Sequence, residues 1–111
     1  MKIPVVRMFT TGDQNTDFVE IDIEQDVNFI FRWRKTKHSA EVLAYHTSNG
    51  SFLSLNTMHE AAISFEKYGF KYFDASTIVN LKRVSETIPM ENGSKVVFVD
   101  GNFTIVRSKH I

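Results

Sequence analysis

Apolar and polar residues alternate with a period of two along much of the chain, the pattern of strands half buried in a sheet. Val19, Ile21 and Ile23 alternate with Glu20, Asp22 and Glu24, apolar on one face and acidic on the other. Residues 28–34 set Phe29, Phe31 and Trp33 against Ile30, Arg32 and Arg34. Residues 42–46 read as the hairpin partner of that strand, and a Ser48-Asn49-Gly50 turn leads into a strand over 51–55. Asn-Gly favours such a turn because it takes up positive φ at little cost. Further strands are predicted over 70–73, 77–81, 83–88, 96–99 and 102–107, with turns at Asp74-Ala75-Ser76, Met90 to Gly93, and Asp100-Gly101.

The period changes once. Met58, Ala61, Ala62 and Phe65 fall at i, i+3, i+4 and i+7, a single helical stripe. Thr57 with Glu60 three residues on forms a capping-box sequence, and Gly69 sits where a left-handed C′ residue belongs. The helix is predicted over 57–68. The expected fold is mostly β: about nine or ten short strands in small packed sheets, with one short helix and a single domain over 1–111. Residues 1–15 are expected to form an N-terminal extension or strand.

Composition narrows the function classes. The chain has 111 residues, 42% hydrophobic and 23% charged, within the ordinary globular range. It has no cysteine, which removes disulfides, zinc thiolates and cysteine nucleophiles. No apolar run reaches the ~18 residues of a membrane span, and Met-Lys-Ile-Pro does not begin a signal peptide. The four histidines are scattered, and there is no nucleophile elbow or glycine-rich phosphate loop. A cofactor-free, non-enzymatic protein without a small-molecule substrate is expected, located in the cytoplasm.

Charge changes the picture further. Thirteen basic residues balance thirteen acidic ones, yet residues 13–26 carry six acids and no base. From Phe31 onward, eleven Lys and Arg face seven Asp and Glu. Arg32, Arg34, Lys35 and Lys37 cluster just before His38, a second group is Arg107, Lys109 and His110, and a third is Lys82 with Arg83. Such clusters suit phosphate contacts, and they equally suit a solvated hairpin tip. Trp33 between two arginines could stack on a base, but its alternation with Phe29 and Phe31 favours sheet packing.

Residues 69–84, from Gly69 to Val84, resemble the central motif of the LytTR family of bacterial DNA-binding domains. Ser76, Ile78, Val79, Asn80 and Val84 stand at the family's offsets. Residues 96–107 resemble its last hairpin, and the acidic segment 19–30 resembles its opening strands, so that the likeness runs over roughly 15–111. Asp74 and Ala75 depart from the family's His-Arg, Thr77 from its aromatic residue, and Val106 from the Ser before Arg.

The resemblance implies an elongated β fold that presents loops to double-stranded DNA and reads direct repeats in promoters from successive major grooves. Carried over by position, the DNA-binding residues are Arg32, Arg34, Lys35, Lys37 and His38, then Asp74, Ala75 and Ser76, then Arg107, Ser108 and Lys109. Arg107 is the candidate for base readout, because a guanidinium pairs bidentately with guanine. Arg34, Lys37 and Lys109 would contact phosphate, and Asn80 would hold loop backbone. No receiver domain precedes the motif in this sequence, so the implied control is by self-association on DNA or by a membrane-bound inhibitor protein. The Met1 start and the family-like ending fit a complete chain. The alternative is a degenerate member acting as a protein-interaction partner without DNA binding. Asp74, Ala75 and the zero net charge motivate it, and the acidic face of Glu20, Asp22 and Glu24 would then be the interface with a basic partner.

Overall fold

The computed structural model describes residues 1–108. Among these residues, ten strands form two antiparallel sheets. The larger sheet orders its strands β2-β1-β5-β4-β3-β7-β6. These are β1 (Lys2–Arg7), β2 (Phe18–Asp22), β3 (Val27–Trp33), β4 (Val42–Thr47), β5 (Gly50–Ser54), β6 (Phe70–Asp74) and β7 (Thr77–Asn80). The smaller sheet, β10-β9-β8, is built from β8 (Val84–Met90), β9 (Gly93–Phe98) and β10 (Phe103–Val106). The longest axis measures 41 Å against 31 and 26 Å.

Strand β3 is the shared wall of two cores. Ile30 faces Leu43, Tyr45, Phe65 and Ile78 in the core under the helix. Its neighbour Phe29 points the other way, into a second core with Phe73, Val79, Val96, Phe98 and Val106 from the strands around it. There the Phe29 ring stacks with Phe98 at 5.6 Å and with His46 at 5.0 Å. The alternation of residues 28–34 therefore does not separate core from solvent in the first half of β3. Val27 to Ile30 are all buried, because a sheet covers one face and a helix the other. Phe31 packs partly against the second core, and Trp33 meets the edge of Phe9 at 6.4 Å.

The helix forms over Met58–Phe65 and continues as a 3₁₀ turn, Glu66–Tyr68, short of a regular helix to 68. Both hydrogen bonds of the capping box are present, and Gly69 takes φ 95° to stop the chain. Met58, Ala61 and Phe65 bury the stripe, Met58 and Phe65 each contributing roughly 1.5–3 kcal/mol.

Two further one-turn helices and a second 3₁₀ turn correct the expectation of one helix. Helix Gln14–Asp17 is capped by Asp13, and helix Ile23–Asp26 by Asp22, whose Oδ1 accepts from Glu24 N and Gln25 N at 2.9 and 3.0 Å. Residues 19–30 are thus not continuous strand. The chain turns at Ile23, which is fully buried, and Asp26 Oδ2 closes the turn on Asp22 N. The acidic run is partly accounted for by these turns. Asp17 accepts from Thr11 N, Thr11 Oγ1 and Gly12 N. The bond from Thr11 N is the main reason its carboxyl lies below the usual value. Asp22 is held low chiefly by Gln25 N.

Candidate nucleic-acid interface

Three segments meet at one end of the molecule. The β3–β4 loop leaves the sheet at Trp33 and returns at Val42, two residues paired across the hairpin. Phe31 pairs with Thr77 on the other side of β3, so the β6–β7 turn emerges at the same end. The third segment, the exit of β10, is brought there by Val106, which shares the second core with Phe73, and by a side-chain bond at the next residue. Asp74 Oδ2 accepts from Arg107 N at 2.9 Å, while Asp74 Oδ1 accepts from Ser76 N at 2.9 Å.

The loop is ordered by its own hydroxyls. Thr36 and Ser39 bond through their side chains at 2.9 Å, Ser39 N donates to Thr36 O at 3.1 Å, and His38 N donates to Thr36 Oγ1 at 3.3 Å. Lys35, Lys37 and His38 are exposed on this turn. Arg32 and Arg34 are exposed too, but both share Glu41, with Nε at 4.0 Å from its carboxylate in each case. Exposed pairs at that distance hold little energy. Glu41 still offsets one unit of the positive charge.

In the β6–β7 turn, Ala75 and Ser76 are exposed and Asp74 is half-buried. Each Asp74 carboxylate oxygen receives an amide proton, which partly disperses its charge. The β10 exit is fixed at further points. Ser94 Oγ donates to Ser108 O at 2.6 Å. Gly93 lies directly under Val106 and Arg107, where a Cβ would run into the Val106 carbonyl. The Arg107 side chain is exposed, Ser108 is half-buried, and Lys109 lies outside the described residues.

Asn80 is fully buried and bonds backbone only. Its Nδ2 donates to Glu24 O at 3.1 Å and Val27 O at 2.9 Å, and its Oδ1 accepts from Lys82 N at 3.2 Å. It ties the Ile23–Asp26 turn to the end of β7, setting where β3 begins.

Lys82 and Arg83, a basic cluster in the sequence, are engaged internally. Lys82 Nζ meets Glu24 Oε2 at 2.7 Å. Arg83 donates to Asn28 Oδ1 at 2.8 Å and Gln25 O at 2.6 Å, and its Nη2 lies 3.6 Å from Asp100 Oδ2. Asp100 in turn accepts from Asn28 Nδ2, Ser48 Oγ and Asn102. Burial pushes its carboxyl up, but the hydrogen bonds from Ser48, Asn28 and Asn102 outweigh burial and hold it well below the usual carboxylate range. This cluster lies at the β4–β5 and β9–β10 turns, at the far end of β10 from Arg107.

Sequence reasoning missed three residues that shape this end: Glu41, Gly93 and Ser94. Glu41 carried a signal, since the hairpin register puts it across from Arg34. Gly93 read only as a turn glycine, and nothing marked Ser94. Among the described residues, no group of three or more His, Cys, Asp or Glu is arranged to hold a metal ion. No helix among them is long and apolar enough to cross a membrane.

A sequence model of the LytTr DNA-binding domain matches residues 21–111. The chain belongs to the LytTR family. Membership makes it a DNA-binding regulator in general terms, from a family of regulators rather than enzymes. A solved LytTr DNA-binding domain from Bacillus cereus has the same fold, with a TM-score of 0.66 at 15% identity, covering 95% of this chain and 87% of that one. No curated protein sequence matches the chain. The mostly β LytTR architecture expected from the sequence is the one found.

Proposed function

We propose that this LytTR domain is a sequence-specific transcriptional regulator that reads direct repeats in duplex DNA with the end carrying the β3–β4 loop, the β6–β7 turn and the β10 exit. The observation that supports it best is the convergence of these three segments, with Arg107 tied by its backbone and exposed to solvent. Arg107 reads guanine O6 and N7 in the major groove, a bidentate pair that contributes about 1–3 kcal/mol of discrimination. Lys35, Lys37 and Arg34 contact phosphate, as Lys109 does in the same reading, and fix register without reading sequence. His38, Ser76 and Ser108 supply further hydrogen-bonding groups, and the Ala75 methyl suits contact with a thymine methyl.

In this reading the whole of 1–111 acts as one cytoplasmic domain. Control by self-association or by a membrane-bound inhibitor rests on the family resemblance alone. The test is fluorescence anisotropy against random duplex and upstream genomic fragments over a salt series. The expected result is steep salt dependence and one fragment bound far more tightly than random DNA. Arg107→Ala should weaken that fragment about 10- to 100-fold and random duplex much less. No binding at low salt would refute the reading.

A further inference from the structure

A carboxylate on a surface that meets phosphates needs an explanation, and the geometry of Asp74 supplies one. Its two oxygens are each engaged by a backbone amide, Ser76 N within its own turn and Arg107 N just past the last strand of the other sheet. Resting on the DNA-binding reading above, we propose that Asp74 is a positioning residue: it anchors the Arg107 backbone to the β6–β7 turn, so that the Arg107 guanidinium is presented to the groove in a fixed register with that turn.

Three features support this role. The bond joins residues 33 apart in sequence, one ending β6 of the larger sheet and one just past β10 of the smaller, so it fixes the relation between two proposed reading segments rather than the shape of either one. Charge-assisted amide-to-carboxylate bonds are about twice as strong as neutral ones. Val106 packs in the second core with Phe73 and so brings the β10 exit close to the β6–β7 turn, while Ser94 and Gly93 act from the adjacent strand of the same sheet; the Asp74 bond then acts on the next residue, Arg107, itself. An Ala or a basic residue at 74 would lower the repulsion of phosphates but would release Arg107 N. The two roles of Asp74 therefore push DNA binding in opposite directions, which makes them separable.

The experiment uses Asp74→Ala and Asp74→Asn in the full chain, alone and combined with Arg107→Ala. Binding is measured to the tightest genomic fragment and to random duplex. Asp74→Ala should lower the ratio of specific to random affinity about tenfold, while random binding holds or tightens. Asp74→Asn, with one carbonyl oxygen for two amides, should fall between. In the Arg107→Ala background, Asp74→Ala should leave the ratio unchanged, because Asp74 acts through Arg107. Equal tightening on both DNAs would overturn the proposal, leaving simple repulsion. Losses that multiply in the double variant would overturn it in favour of direct base contact by Asp74. Amide hydrogen exchange at Arg107 gives a DNA-independent readout, slow in the parent chain and fast in Asp74→Ala. Fast exchange in the parent chain removes the anchor itself. A parent chain that prefers no fragment, with a slow Arg107 amide, places the failure in the DNA reading and sinks the role with it.

Discussion

Replacing Asp100 by Ala tests how the two sheets are held together. The carboxylate accepts from Asn28 of β3, Ser48 of the β4–β5 turn and Asn102 of the β9–β10 turn, and faces Arg83. Its side chain is 15% exposed and that of Arg83 18%. Removing it leaves Arg83 with an unbalanced charge at a site partly open to solvent and Asn28 Nδ2 without an acceptor. Breaking a buried pair costs about 3–5 kcal/mol and an unsatisfied buried amide about 1–3. Solvent access at both groups and the bonds Arg83 keeps to Gln25 O and Asn28 Oδ1 bring the total below the sum of these, to about 3 kcal/mol. For a domain this size that is a Tm lower by about 12 °C.

Urea unfolding followed by far-UV circular dichroism and Trp33 fluorescence measures the change. The pH dependence carries its own sign. The folded Asp100 carboxyl lies below its ordinary value of 3.8. Its contribution is therefore fully present above that value and is lost as pH falls from there toward the folded value. The gap between parent and Asp100→Ala should be constant above about pH 5 and narrow below pH 4. A loss under about 1 kcal/mol, or a gap that does not change with acid, refutes the assigned network.

Three further outcomes are expected. Gly93→Ala places a Cβ 3.1 Å from Val106 C and 3.3 Å from Arg107 Cα, and nearer still to the Val106 carbonyl. Thermal melts should show a loss of about 1–3 kcal/mol, and anisotropy a reduced preference for specific DNA. Asn80→Ala strands the Glu24 and Val27 carbonyls and should cost about 2–3 kcal/mol by denaturant titration, with less effect on DNA specificity per unit of folded protein. The double variant Lys35→Ala/Lys37→Ala should flatten the slope of log affinity against log salt by about 2 without changing which fragment is preferred.

The strands were legible because period-two alternation depends on nearest neighbours, and the helix because its stripe, cap and Gly69 agree. Three points were not, each for a long-range reason. Ile30 reads as the polar-side partner of Phe29 and Phe31 until the second sheet supplies a core for Phe29. The turn at Ile23–Asp26 interrupts an alternating segment because Asp22 and Asn80 capture its backbone, and Asn80 lies more than 50 residues away. Lys82 and Arg83 look like surface charge until Glu24 and Asp100 are brought beside them. At the candidate interface the segments could be located by resemblance, but the bond from Arg107 N to Asp74 appears only when the two sheets come together.

The sheets are fastened at opposite ends of β10, by Asp100 near its start and by Asp74 just past its finish. A plate pinned at both ends has no pivot. In the proposed reading of DNA, the distance from the β10 exit to the β6–β7 turn is then set by the protein, and any mismatch with the groove falls on the DNA. Sites with easily deformed base steps between the contacted positions would be favoured, although no side chain touches those steps. The fastening thus extends the proposed recognition to bases beyond its reach.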